Sequence, residues 1–357
     1  MRILFLSRAS LFTNKGGDTT QIEQTAKALI RLGIDVTIKT TNEKIDYSAY
    51  DLIHFFNIIR PADIMYHIEK SKLPYVVSTI YLDYSSIREQ GIKGMMGRIL
   101  GKNSMEYVKT VARDIVNGER IQWKPYWYKG HKAAIKEILK NAKCLLPNSD
   151  SEYQRFKKDF PQAGNYVVVP NGIRKEVFNL DQYRHVQRIG NKVICVGRIE
   201  PRKNQLNLIK ALNNTEFELY LIGIISTNHK DYYEACQTAA AKNVHFVARL
   251  SIGDLLTEMA SAQVHVLPSW FETTGLSSLE ASAMGCNVVV SAMGDTKPYF
   301  RDLASYCEPG DVNSIYNAVK EAAVADQSAL RALIEKEYTW DAAAKVTLEV
   351  YNKILLK

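Results

Sequence analysis

Two carboxylates eight residues apart, Glu272 and Glu280, bracket a turn in Phe271-Glu272-Thr273-Thr274-Gly275-Leu276-Ser277-Ser278-Leu279-Glu280. Such a pair can act as acid and base on a glycosidic bond, or each carboxylate can hold hydroxyls of a bound sugar. Earlier in the chain Arg198 and Lys203 lie five apart in Gly197-Arg198-Ile199-Glu200-Pro201-Arg202-Lys203-Asn204, close enough for two cations to converge on one anion. Thr274, Gly275 and Leu276 head a helical pattern, and the free N–H groups of a helix start favour a phosphate. Two cations and a helix end together suit a diphosphate held without metal. The chain has no Asp-x-Asp and no His/Cys cluster, so a metal-assisted route lacks obvious ligands. In a phosphate-binding site Glu280 would take ribose hydroxyls and Glu272 a sugar hydroxyl. The alternatives are a hydrolytic pair, or surface carboxylates with Glu272 stabilising the helix end.

The positioning elements are legible around these residues. Val264 to Pro268 is a short apolar strand before the turn, and Leu279, Ala283 and Met284 continue after it at helical spacing. Val193 to Val196 is a strand leading to Arg198, and Leu206, Ile209, Ala211 and Leu212 form the next helical stripe. Strands at 218–222, 244–247, 287–291 and 305–307 alternate with helical segments, and Trp340 to Leu355 reads as a long amphipathic helix. The first half has the same rhythm: a strand at Arg2 to Ser7, a polar loop Asn14-Lys15-Gly16-Gly17-Asp18-Thr19-Thr20, a helix, and a strand at Ile34 to Ile38. That loop lacks both G-x-G-x-x-G and G-x-x-x-x-G-K-S/T. Gly16-Gly17 is either a tight turn or a backbone that a ligand can approach closely. His54 ends one further strand, and Tyr81-Leu82-Asp83 follows another, Tyr75 to Ile80; the carboxyl ends of parallel strands face the ligand crevice. A lone His there is more often a packing residue. The expected fold is α/β, with two Rossmann-like doubly wound domains facing a cleft. Their expected bounds are 1–170 and 171–340, with an interdomain linker at about 171–188 and a final helix at 341–357.

A chain of 357 residues suits two domains of this size. No apolar run approaches the ~20 residues a membrane span needs, and no signal-peptide layout precedes the first strand, so a cytoplasmic location is expected. The five cysteines are odd in number, scattered and without a C-x-x-C pair, which favours buried free thiols. The net charge of +8 is concentrated: residues 86–145 hold thirteen Lys or Arg against five Asp or Glu, leaving the remainder neutral. This basic insert, 86–140, also contains the glycines of Gly91 to Gly101 and the aromatic run Trp123-Lys124-Pro125-Tyr126-Trp127-Tyr128-Lys129. Apolar and aromatic residues beside cations suit an anionic membrane surface. A solvated helical face with core aromatics accounts for them equally well. No helix-turn-helix, zinc or RNP pattern accompanies the charge, so no nucleic-acid partner is expected.

Glu272 and Glu280, set in Leu267-Pro268-Ser269-Trp270-Phe271-Glu272 and followed by Ala281-Ser282-Ala283-Met284-Gly285, resemble a motif of the retaining glycosyltransferases of the GT-B fold, family 4 (group 1). Val169-Pro170-Asn171-Gly172-Ile173, the stretch Val196 to Asn204, and Tyr338-Thr339-Trp340 opening the last helix match the same family in order and spacing. The resemblance implies a nucleotide-sugar donor, UDP- or GDP-linked, in the C-terminal domain and a glycan or lipid-linked acceptor in the N-terminal one, with no cofactor. It assigns Arg198 and Lys203 to the diphosphate, Glu280 to the ribose and Glu272 to the donor sugar, with backbone N–H bonds from Thr274, Gly275 and Leu276. Gly16 and Gly17 would approach the donor from the other domain, and Arg249 and Leu250 lie in the segment that borders the base. The last helix is expected to cross back to the N-terminal domain. Many relatives carry a His where Tyr81 stands, so Tyr81, Asp83 and His54 are the acceptor-side candidates. Relatives often have Gly-Gly-x-x-Glu where this chain has Gly294-Asp295-Thr296-Lys297. The expected activity is retaining, metal-independent transfer in surface polysaccharide synthesis, at the inner face of the membrane. An inactive nucleotide-sugar-binding module, a UDP-sugar epimerase and a phosphorylase on the same fold are the alternatives.

Overall fold

Strands covered by helices on both faces need apolar residues at every position rather than at alternate ones, and Leu52–Phe56 and Asn287–Ser291 are buried throughout. The computed structural model describes residues 1–13, 15–81, 107, 108, 110, 121–178, 180–225 and 229–356. The chain divides into two units, Met1–Asn171 together with Trp340–Lys357, and Gly172–Thr339.

The first unit holds β1 (Arg2–Ser7), α1 (Gly17–Arg31), β2 (Asp35–Thr40), β3 (Leu52–Phe56), α2 (Pro61–Ser71), β4 (Tyr75–Ser78), α3 (Tyr126–Asn141), β5 (Cys144–Leu145) and α4 (Asp150–Asp159). Its strands are all parallel, in the order β2-β1-β3-β4-β5. Beyond the second unit in sequence, α12 (Trp340–Leu355) packs on α1, where Arg31 pairs with Asp341. The start of α4 is fixed by Ser149, whose hydroxyl accepts from the Glu152 N–H at 3.0 Å. The Glu152 carboxylate is itself buried and accepts from the N–H groups of Asn148 and Tyr81, each at 2.9 Å.

The second unit holds β6 (Ile189–Val196), α5 (Gln205–Leu212), β7 (Glu218–Ile222), α6 (Lys230–Ala239), β8 (Val244–Val247), α7 (Ile252–Ser261), β9 (Ala262–Leu267), α8 (Leu276–Ala283), β10 (Asn287–Ser291), α9 (Thr296–Phe300), β11 (Ser305–Cys307), α10 (Val312–Val324) and α11 (Ser328–Glu337). The order is β11-β10-β9-β6-β7-β8, again all parallel. The chain therefore winds one way from β6 through β8, then the other way from β9 through β11. The reversal lies between β6 and β9, and ligands of open parallel sheets bind at the carboxyl ends of the strands flanking such a reversal.

Several elements differ from the expectation. Strand β4 stops at Ser78 rather than Ile80, because Ile80 takes a left-handed backbone (φ 45°) and turns the chain. Tyr166 makes a single parallel bridge to Leu145. The stretch read as a linker contains 3-10 turns at Lys175–Phe178 and Leu180–Tyr183, and Ile173 pairs with Thr339. Helix α11 was not expected; Leu330, Leu333 and Ile334 give it a buried stripe at helical spacing. All five cysteines are free and buried, and burial pushes their thiols up to about 11 or 12. Most of the basic insert lies outside the described residues. Its aromatic run divides: Trp123 and Tyr126 are in the core, whereas Trp127 and Tyr128 are exposed.

Candidate functional site

The loop after β6 carries Arg198 and Lys203 and is pinned along its length. The Gly197 N–H donates to Ile222 O at 3.0 Å and the Ile199 N–H to Ile224 O at 2.9 Å. These bonds draw the loops after β6 and β7 so close that a Cβ on Gly223 would stand 2.1 Å from Gly197 O. Pro201–Lys203 forms one 3-10 turn. Asn204 follows in a left-handed conformation that Asn tolerates, and its buried Nδ2 donates to Pro268 O at 3.0 Å and Pro309 O at 2.7 Å. Gln205 Nε2 donates to Arg198 O at 2.9 Å. The backbones of both cations are thus anchored to neighbouring strand ends.

The loop after β9 carries Glu272 and is held from two sides. The Trp270 N–H donates to Arg202 O at 2.9 Å. On the other side the Glu272 N–H donates to Met293 O at 3.3 Å, and Glu272 O accepts from the Asp295 N–H at 2.7 Å. Gly294 lies between, at φ 90°, where an added Cβ would come 2.2 Å from Glu272 O.

The charged side chains meet across the β6–β9 reversal. Lys203 Nζ lies 2.6 Å from Glu272 Oε1, with both side chains largely buried. Arg202 Nη1 donates to the same oxygen at 3.3 Å and to Phe271 O at 2.9 Å. Its Nη2 donates to Glu200 Oε1 at 2.9 Å, and Arg198 Nε stands 3.6 Å from Glu200 Oε2. Five charges therefore alternate, in the order Arg198, Glu200, Arg202, Glu272, Lys203. Burial works to raise the Glu272 carboxyl, but the charges of Lys203 and Arg202 outweigh it and hold the group below its ordinary range. Arg198 and Lys203 are not in contact with each other; each is held by a different carboxylate, and Arg198 is the more exposed of the two.

Gly275 is the N-cap of α8, and the N–H groups of Gly275, Leu276 and Ser277 have no partner among the described residues. Thr274 is buried, with Oγ1 3.5 Å from the Tyr299 hydroxyl, so its side chain faces inward. The Glu280 side chain, one turn into α8, has no hydrogen bond or ion pair among the described residues. Burial pushes its carboxyl up, opposed by the charge of Arg174. Arg249 is exposed on the loop after β8, and Leu250 packs on the core of the second unit. In the first unit Gly16 is the N-cap of α1 and Gly17 its first residue, with nothing within 4 Å of where a Gly17 Cβ would stand. Arg8 fixes that loop through Asp18, at 2.7 Å and 3.1 Å.

Two of the three acceptor-side candidates are core residues. Tyr81 is buried, its ring edge-on to Phe156 with centroids 5.0 Å apart and its hydroxyl donating to Asp159. The Glu152 carboxylate on the Tyr81 N–H holds it in that direction. His54 is buried on β3, with Nδ1 2.6 Å from the Tyr351 hydroxyl and Nε2 2.8 Å from Ser78 Oγ. Burial lowers its pKa to about 3, which makes it a neutral packing residue rather than an acid or base for an acceptor. Asp83 lies outside the described residues. Sequence reasoning missed Glu200, Arg202, Asn204, Gly223 and Gly294. The alternation of charge in Glu200-Pro201-Arg202-Lys203 was a visible signal for the first two, and the resemblance marked the place of Gly294; Gly223 had none.

Residues 183–340 match the family model described as glycosyl transferases group 1. The chain is similar to the GDP-mannose-dependent monoacylated alpha-(1-6)-phosphatidylinositol monomannoside mannosyltransferase of Corynebacterium glutamicum, 23% identical over 255 residues that cover 63% of this chain and 65% of that protein. It is also similar to the D-inositol 3-phosphate glycosyltransferase of a Nocardioides species, 32% identical over 251 residues covering 61% of this chain and 55% of that one. The chain thus spans 65% and 55% of the length of these two curated relatives. Among solved structures, a sucrose-phosphate synthase from Thermosynechococcus elongatus superposes over 100% of both chains with a TM-score of 0.76 at 18% identity. Anabaena HepE in complex with UDP and glucose does so over 99% of this chain and 100% of its own, with a TM-score of 0.67 at 16% identity. With its two parallel-sheet units, the chain has the GT-B fold, and its residues 183–340 are similar to the group 1 glycosyl transferases.

Proposed function

We propose that the protein transfers a sugar from a nucleoside diphosphate sugar to a hydroxyl of a glycan or lipid-linked acceptor, with retention of the anomeric configuration. The observation that carries this reading is the Lys203–Glu272 pair across the strand reversal of the second sheet, flanked by Arg198 and the unpartnered start of α8. In this reading Lys203, Arg198 and the N–H groups at Gly275 and Leu276 neutralise charge growing on the departing diphosphate. Glu272, ionised, accepts a hydrogen bond from the donor sugar, and Glu280 accepts from the ribose hydroxyls. Arg249 and Leu250 border the base, and Gly16 and Gly17 give a ligand-approachable backbone in the first unit. Among the described residues no side chain is placed as a nucleophile, so the acceptor hydroxyl attacks on the face the leaving group vacates. With two cations on the diphosphate, transfer is expected to proceed without a cofactor and to survive chelation of divalent metal.

The donor is expected to be UDP- or GDP-linked; the Corynebacterium relative is named as GDP-mannose-dependent and acts on a phosphatidylinositol mannoside. A lipid-linked acceptor and a role in surface polysaccharide synthesis fit the exposed Trp127 and Tyr128 within the basic insert. No helix among the described residues is long and apolar enough to cross a membrane, and a peripheral position at an anionic membrane surface is the corresponding expectation. The test is a thermal-shift panel of UDP, GDP and their sugars, followed by transfer assays with proton NMR of the product anomer. Stabilisation by one nucleoside diphosphate family, lost in Lys203→Ala, supports the reading. No shift from any member, or full turnover in Glu272→Gln with Lys203→Ala, overturns it; donor turnover without acceptor points to epimerase activity instead.

A further inference from the structure

We propose that Arg202 is a positioning residue for sugar transfer: it clamps Glu272 through Oε1 and keeps the other carboxylate oxygen presented to the donor sugar while Lys203 turns to the diphosphate. The proposal rests on the donor-site reading above.

Lys203 is claimed twice. It lies 2.6 Å from Glu272 Oε1, and the arriving diphosphate competes for the same ammonium. An ammonium on a flexible stem can swing between the two, whereas a guanidinium is a planar fork with fixed donor directions. Arg202 spends that fork on acceptors that stay put. Nη1 donates to Phe271 O at 2.9 Å and to Glu272 Oε1 at 3.3 Å; Nε and Nη2 donate to Glu200 Oε1 at 3.2 Å and 2.9 Å. Its own carbonyl accepts from the Trp270 N–H at 2.9 Å. Two of these partners are backbone atoms of the Glu272 loop itself, so the clamp and the carboxylate move as one piece. Both cations use Oε1, which leaves Oε2 outside both pairs. When phosphate takes Lys203, Glu272 retains a charge-assisted donor and does not become an unpaired buried anion.

The groups facing Glu272 come from four elements. Lys203 and Arg202 lie on the loop after β6, Cys195 on β6, His265 on β9 and Ser269 on the loop after β9. The Cys195 thiol is pushed up to about 12 by burial and His265 down to about 3, so both are neutral where the enzyme would work. Arg202 and Lys203 supply the positive charge. With Lys203 on phosphate, Arg202 is the one that keeps Glu272 ionised.

The experiment compares the full-length protein with Arg202→Gln, Arg202→Lys and Glu200→Gln. Its readouts are affinity for the nucleoside diphosphate alone, affinity for the corresponding sugar, and the pH profile of kcat/KM. Arg202→Gln should leave nucleoside diphosphate affinity within about threefold but lower kcat about tenfold or more, the loss of one hydrogen bond to a charged group. It should also move the acid limb of the profile up by about one unit. Arg202→Lys should restore the acid limb while recovering only part of kcat. Glu200→Gln removes the far anchor of Arg202 without touching Glu272, so it should lower kcat in the same direction and serves if Arg202→Gln does not fold. An unmoved acid limb and kcat in Arg202→Gln, or in Glu200→Gln where the former is not obtained, overturns the proposal. Equal losses of nucleoside diphosphate and sugar-donor affinity also overturn it, since Arg202 would then be a diphosphate ligand. Wild-type protein that binds neither ligand removes the donor-site reading itself, and this proposal with it.

Discussion

Replacing Gly294 by Ala tests whether the Glu272 turn is held by the backbone behind it. Gly294 sits at φ 90°, and an added Cβ would meet Glu272 O at 2.2 Å, Glu272 N at 2.8 Å and Glu272 C at 3.0 Å. All three are backbone atoms of a loop hydrogen-bonded to Met293 and Asp295, so no flexible side chain can absorb the contact. The left-handed conformation costs an L-residue about 1–2 kcal/mol, and forcing the two loops apart adds about 1–3 kcal/mol. At roughly 2–4 °C per kcal/mol for a unit of this size, the Tm should fall by about 5–15 °C. The shift that Glu272 makes on its loop should also weaken stabilisation by nucleotide sugars. Gly253→Ala is the matched control. Gly253 is exposed in α7 with nothing within 4 Å of its would-be Cβ, so Ala should stabilise by about 0.5–1 kcal/mol. Thermal denaturation with and without donor measures both. A Gly294→Ala protein that melts within about 2 °C of wild type and responds normally to donor refutes the reasoning.

Lys203→Ala should cost roughly 1–3 kcal/mol of stability as well as donor binding, because it leaves Glu272 with Arg202 alone; urea unfolding and the donor thermal shift separate the two effects. Arg198→Ala, at a more exposed position, should leave the unfolding midpoint nearly unchanged while weakening nucleoside diphosphate binding about tenfold, read by calorimetry. Tyr351→Phe should lose roughly 1–3 kcal/mol by leaving buried His54 Nδ1 without its partner, visible as a lower denaturation midpoint. Burial holds His54 at about 3, His67 at about 4 and His265 at about 3, all below the ordinary histidine value. The unfolded chain therefore binds more protons, and stability present above about pH 6.5 should be lost progressively as pH falls towards 3–4. Denaturation midpoints across that window should fall with pH, and a flat profile would contradict the burial of these rings.

The strand-turn-helix around Glu272 was legible because both of its periodicities are strong: a run of buried residues in β9, then a helical stripe through Leu279 and Ala283. Arg198 and Lys203 were legible as cations following a strand. Their partners were not, since Lys203 meets Glu272 only because β6 and β9 are neighbours in the sheet, a pairing 69 residues apart that local pattern does not encode. Tyr81 and His54 show a different limit. His54 lies in the middle of β3 rather than at its end, and for Tyr81 the left-handed turn at Ile80 with the Glu152 carboxylate behind it sends the side chain inward. The close approaches at Gly223 and Gly294 were unreadable because each is required by backbone from a distant part of the chain rather than by its own turn.

The first unit needs residues from both sides of the second: α12 lies beyond the second unit in sequence, yet Tyr351 completes the hydrogen bonding of His54 on β3. During synthesis the N-terminal strands must therefore wait, with the α1 face and His54 uncovered, until Trp340–Leu355 has emerged. The continuous segment Gly172–Thr339 is under no such constraint and can reach its native sheet first. The half that is translated first is thus the half whose packing is completed last.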